Sequence, residues 1–116
     1  MRLERKRVRT ERWYSVGWSP VLKKYVLSTA VGYLAVYERF FEITEGEYLS
    51  SYIDPQGLDE LANMLFRSAG RSSRFICSQR KQENDEAQNE LCRQLNDDTR
   101  EYYSEHPEAE NEFERF

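Results

Sequence analysis

Between residues 12 and 43 the chain repeats one pattern three times, and at Thr44 it drops it. In RWYSVGW (12–18), Tyr14, Val16 and Trp18 fall on one face at a period of two. In YVLSTAV (25–31), Tyr25, Leu27, Thr29 and Val31 do the same. In YLAVYERFFEI (33–43), Ala35, Tyr37, Phe41 and Ile43 share a face with Arg39, while Phe40 sits opposite between Glu38 and Glu42. Alternation of this kind predicts strands with one buried face. Pro20 suits the second position of a turn, and Gly32 breaks or bulges the second run. Short connections place consecutive strands side by side, so the three runs predict an antiparallel meander. Glu38 and Glu42 then mark its solvent side, with a functional acid pair as the alternative.

The period changes at Thr44. Thr44 and Glu47 form a capping box, so a helix starts at Glu45, with Tyr48/Tyr52 and Leu49/Ile53 at helical spacing. DPQGLDELANMLFRSAG (54–70) predicts a second helix. Asp54 caps it, Pro55 occupies its first position and Gly70 follows its end. Its buried stripe is Leu58, Leu61, Ala62, Leu65 and Ala69, with Met64 and Phe66 at the flanks. SSRFICS (72–78) reads as a fourth strand with Phe75 and Cys77 on one face. Residues 79–95 carry a thin stripe of Ala87, Leu91 and Leu95, which predicts a docked helix. A short further helix is expected over 98–105, capped by Asp97 or Asp98, and the segment after Pro107 is expected to fray. The expected fold is therefore α+β: one domain over 1–116, with an antiparallel sheet of three to four strands and helices packed on one face.

Charge is unevenly spread. Residues 1–12 hold six basic side chains against two acids, residues 13–78 six against seven, and residues 79–116 five against twelve. Two features follow from this. Arg2, Arg5, Lys6, Arg7, Arg9 and Arg12 make residues 1–11 and their border a basic N-terminal arm. Such an arm suits nucleic-acid phosphates, or forms a solvated edge strand, or pairs with the chain's own acidic end. Trp13 and Tyr14, which follow it, read as core residues. In the C-terminal third, Glu83, Asp85, Glu86, Glu90, Asp97, Asp98, Glu101 and Glu105 stand among Tyr102 and Tyr103, with Phe113 beyond. Carboxylates interleaved with exposed tyrosines suit a basic protein surface: the acids steer, and the rings anchor.

Catalytic and cofactor motifs are lacking in the sequence. The single histidine, His106, lies in the acidic segment with no metal-ligand spacing around it. Cys77 and Cys92 are expected as reduced, buried thiols. There is no glycine-rich phosphate loop and no nucleophile elbow. The expectation is a non-enzyme without cofactor. The first twelve residues lack an apolar signal core and no run is long enough to span a membrane, so a cytoplasmic protein is expected.

The stretch RWYSVGWSPVLKKYVLSTAVGYLAVYERFFEITEGEYLSSY, followed by the helix and SSRFICS, is similar in layout to small immunity proteins of bacterial polymorphic-toxin systems of the contact-dependent growth inhibition kind. That resemblance implies a protein that binds a cognate toxin domain and blocks its active site, with no catalytic residue of its own. Without an export signal, the toxin would act in the cytoplasm. A nuclease, basic in order to hold phosphates, suits an acidic inhibitor. The acidic third lies outside the resembling stretch. A nucleic-acid-binding accessory protein using the basic arm, a phage-type inhibitor of a defence complex and a structural adaptor remain as alternatives.

Overall fold

The computed structural model describes residues 1–32 and 34–116. In chain order these form β1 (Glu4–Arg9), β2 (Tyr14–Ser19), β3 (Lys24–Val31), β4 (Tyr37–Ile43), α1 (Glu45–Ile53), α2 (Pro55–Ser68), β5 (Phe75–Ser78), α3 (Glu86–Glu105) and β6 (Glu114–Arg115). The expected meander is β2-β3-β4, with Leu27 registered opposite Val16 on one side and Phe41 on the other. Tyr33, where the third strand was expected to begin, lies outside the described residues.

The sheet is larger than the meander. β1 pairs antiparallel with β2, β5 pairs antiparallel with β4, and β6 pairs parallel with β1, giving the order β5-β4-β3-β2-β1-β6. Most of the expected basic arm is therefore strand, and the expected frayed segment folds into a 3-10 turn over Pro107–Asn111 followed by β6. Gly17 permits the first of these. A Cβ there would lie 2.9 Å from Leu3 Cβ and 3.0 Å from the Glu4 carbonyl oxygen. β1 crosses it closely through a bulge at which Arg5 has φ 51°.

Helices cover both faces of the sheet, not one. Tyr14, Val16, Leu27, Phe41 and Ile43 pack beneath Tyr48 of α1 and Leu58, Ala62 and Leu65 of α2. On the opposite face, Leu3, Val26, Phe40 and Cys77 pack beneath Cys92 and Leu95 of α3. The residues that alternate with the first face include Val26 and Phe40. Burying such side chains contributes about 2 kcal/mol each, enough to demand a second cover. β5 serves both cores through a register shift. Phe75 stands opposite Phe41 while Cys77 stands opposite Phe40, so the two side chains expected on one face point to different ones.

α1 and α2 meet at Asp54, whose carboxylate accepts from Gly57 N at 3.2 Å just ahead of Pro55. The Thr44–Glu47 capping box forms as expected. α3 is one helix of 20 residues rather than two, opened by a second capping box between Asp85 and Gln88. Its Asn-Asp-Asp-Thr stretch at 96–99 has weak helix propensity. There the Arg93–Asp97 ion pair, at 2.8 Å, and the Thr99 hydroxyl, donating to the Leu95 carbonyl at 2.8 Å, bridge successive turns. Ala87 is exposed, and the buried stripe is instead Cys92 and Leu95 beside the half-buried Leu91.

Candidate functional site

The acidic third divides into carboxylates used inside the molecule and carboxylates left over. Glu83 accepts from both arms of Arg39 at 2.7 and 2.8 Å and from the Tyr37 hydroxyl at 2.7 Å. The Arg39 guanidinium, against the opposing effect of burial, holds the Glu83 carboxyl at about 2. Asp85 caps α3 through Gln88 N at 2.8 Å, and Asp98 receives Arg2 at 3.2 and 3.3 Å. Glu90 and Asp97 share Arg93, and Arg100 lies 3.4 Å from Asp97. These residues form the scaffold of α3 and of its seat on the sheet. By contrast, Glu86, Glu101, Glu105, Glu108, Glu110 and Glu112 are exposed and form no ion pair with a described residue. All but Glu86 gather at the C-terminal end of α3 and the turn after it, where the helix dipole adds partial negative charge.

Tyr102 and Tyr103 are half-buried, not free. The Arg2 guanidinium lies 4.1 Å from the Tyr102 ring centroid, and His106 stacks on that ring at 4.4 Å. Burial pushes the Tyr103 hydroxyl above its usual range. Both rings line a groove of about 630 Å³ between β1 and the C-terminal segment, together with Tyr52, Phe113 and Glu112. Lys6 and Arg5 also border it, so its walls carry both signs.

Most of the basic side chains in and beside β1 are neutralised from within, Arg5 and Lys6 excepted. Arg2 pairs with Asp98; Arg7 donates to the Ser51 hydroxyl at 2.8 Å and pairs with Glu114; Arg9 grips Asp59 through two bonds of 3.2 Å. Arg12 approaches the same Asp59 at 3.7 Å. Burial would raise the Asp59 carboxyl, yet Arg9 and the Tyr14 hydroxyl, donating at 2.7 Å, hold it below the usual range. Burial, then this bond, pushes the Tyr14 hydroxyl far up. Arg5 reaches the Tyr25 hydroxyl at 3.1 Å, and Lys6 lies 6.0 Å from the Phe113 ring.

A second concavity, of about 880 Å³, opens on the α2 side between the β1–β2 turn, the end of β3 and α2. Trp13 and Phe66 stand on its rim at 68% and 42% exposure, with the exposed Val36 between the strands' ends. Trp13 is the residue the strand pattern misplaces. It does not continue β2 but closes the 3-10 turn Thr10–Arg12 at φ 59°, ψ 39°, which turns the indole out of the sheet. A bulky residue in the left-handed region is a genuine outlier, and nothing in an alternating pattern signals it. α1 also keeps Leu49, Tyr52 and Ile53 exposed, so its apolar side is only partly used by the core.

Among the described residues, no group of three or more His, Cys, Asp or Glu is placed to hold a metal ion. No described helix is long and apolar enough to cross a membrane. Cys77 and Cys92 are free thiols buried between β5 and α3; burial, reinforced by the neighbouring Cys92, raises the Cys77 thiol to about 12. No family model matches the chain, and neither does any curated protein or any solved structure.

Proposed function

We propose that the chain is a protein-binding inhibitor: an immunity protein that seats its acidic α3 end on a basic, cytoplasm-acting toxin domain of nuclease type and covers that domain's active site. The observation that supports this reading is the surplus of exposed carboxylates at the end of α3. Glu101, Glu105, Glu108, Glu110 and Glu112 are not used to hold the fold together. A surplus of negative charge of this kind speeds encounter with a cationic protein surface, and the effect falls off with salt. The alternative of nucleic-acid binding through the N-terminal basic residues needs free cations. Arg2, Arg7, Arg9 and Arg12 are each already paired with a carboxylate of the chain, which leaves only Arg5 and Lys6 of the six without an ion pair to a described residue.

The test is co-expression with any toxin domain found encoded in the neighbouring gene, read as rescue of growth, followed by surface plasmon resonance with the purified domain. The expected result is a stable complex whose association rate falls steeply with ionic strength. Changing Glu101, Glu105, Glu108 and Glu110 together to Gln slows association by about tenfold and leaves dissociation nearly unchanged. Tyr102→Ala acts on dissociation but also frees Arg2, so it is read alongside a melting curve. Failure of rescue, or salt-sensitive binding to generic DNA in place of the toxin domain, overturns the reading.

A further inference from the structure

The α2-side cleft is lined by aromatic, polar and charged side chains together. One of the residues lining it is Thr29, of 3% exposure, whose hydroxyl is fully buried and has no hydrogen-bond partner among the described residues. Buried hydroxyls are nearly always satisfied. Its rim carries Trp13, held in a disfavoured backbone conformation by a hydrogen bond from Ala30 N to the Trp13 carbonyl at 3.0 Å. Strain that persists because its surroundings enforce it, at the mouth of a cavity, is the pattern of a preorganised contact residue. Trp13 and Phe66 offer apolar, aromatic walls of the kind that dominate binding hot spots.

Charge selects the occupant. Asp59, on the cleft wall, is already satisfied by Arg9, Tyr14 and Arg12. Glu11 and Glu60 also line the cleft, are exposed, and form no ion pair with a described residue. Arg12, itself on the lining, shares the one Asp59 charge with Arg9; these two guanidiniums are set against three carboxylates, Asp59, Glu11 and Glu60, and the balance at the rim is one negative charge. We infer that this cleft is an anchoring pocket for a loop of a protein partner, one that places a large apolar side chain against Trp13 and Phe66 and an adjacent lysine or arginine on Glu60 and Glu11. The inference rests on the protein-binding reading above and extends it. It adds a second contact on the face of the sheet opposite α3, which governs how long the partner stays rather than how fast it arrives.

The test uses peptides as probes, so it does not depend on the acidic end of α3. The probe is a capped tetrapeptide of phenylalanine and lysine between glycines, titrated into the isotopically labelled full chain by NMR. The expected shifts fall on the Trp13 indole N–H and on the side-chain amides of Gln56 and Asn63, which line the same cleft. Exchanging lysine for glutamate, or phenylalanine for alanine, weakens binding at least fivefold. Glu60→Gln, an exposed helix substitution that leaves the fold intact, removes the preference for lysine over glutamate. Trp13→Ala abolishes the shifts at Gln56 and Asn63 while an unchanged spectrum elsewhere reports a folded chain. The inference is overturned if the phenylalanine–lysine peptide leaves these signals unmoved at its solubility limit. It is equally overturned if the lysine and glutamate peptides bind alike, or if the Trp13 indole responds to oligothymidylate in preference to the peptide. None of these outcomes bears on the salt-dependent association through α3, which the Gln variants read separately.

Discussion

The two ends of the chain carry opposite charge, and the fold treats them differently. The basic N-terminal segment is largely spent internally: Arg2, Arg7 and Arg9 each reach a carboxylate far along the sequence, at Asp98, Glu114 and Asp59, and only Arg5 and Lys6 do without one among the described residues. The acidic third gives Glu83, Asp98 and Glu114 to distant arginines, uses Asp85, Glu90 and Asp97 within α3, and keeps a group of exposed carboxylates at the end of α3. A run of like charge therefore says little until its partners are known. The same sequence feature is internal glue at one end and spare field at the other.

The comparison breaks most sharply at Asp59. Asp59→Ala leaves Arg9 half-buried without a counter-charge and the Tyr14 hydroxyl without an acceptor. Urea unfolding is expected to show a loss of about 3 kcal/mol. Adding Arg9→Leu to that variant recovers part of the loss, because the stranded charge is then gone.

Deleting residues 112–116 is the next largest effect. It removes the Arg7–Glu114 pair, the bond from Phe116 N to the Val8 carbonyl and the edge contact of Phe116 with Tyr14 at 6.0 Å. The expected loss is about 2 kcal/mol, measured by thermal unfolding; a change near zero would make this segment a fray after all.

Glu83 sharpens the comparison through pH. Its folded value of about 2 lies below the usual carboxylate range, so its contribution is complete above the unfolded value and disappears as pH falls from there towards 2. Glu83→Gln is expected to cost on the order of 1 kcal/mol near neutrality and to flatten that acid limb, as followed by circular dichroism against pH. The smallest effect belongs to the spare carboxylates. Changing Glu101, Glu105, Glu108 and Glu110 together to Gln should move stability by no more than about 0.5 kcal/mol in urea. A large loss there would mean that these acids hold the fold after all.

Much of the fold was legible because its signals are local. The β2-β3-β4 alternation, the Thr44–Glu47 box and the Asp54–Pro55 start of α2 all stand as the residues suggested. What the sequence hid depends on distant pairing. β1 is a strand because it finds β2 and, through Arg7, the segment at Glu114. α3 covers the second face because Val26 and Phe40 need cover, and a thin stripe on a polar helix suffices to provide it. The β5 bulge, which sends Phe75 and Cys77 to opposite cores, is a register property and has no sequence period. The candidate site was legible as composition and illegible as geometry. The alternation that placed Tyr14 correctly in the core placed Trp13 there wrongly, since a single left-handed residue reverses the direction of one side chain.

The pairing of β6 with β1 has a consequence in time. A ribosome releases Arg7 more than a hundred residues before Glu114, and Arg2 well before Asp98. During that interval β1 has no outer neighbour at Arg7 and Val8, and the guanidinium of Arg7 has Ser51 and the Tyr52 ring to meet but no carboxylate. Contacts so far apart along the chain are the slowest to close, and an unpaired strand edge invites strands from other chains. The nascent protein is thus adhesive along that edge until residues 114–116 have emerged, and those residues are the ones that seal it.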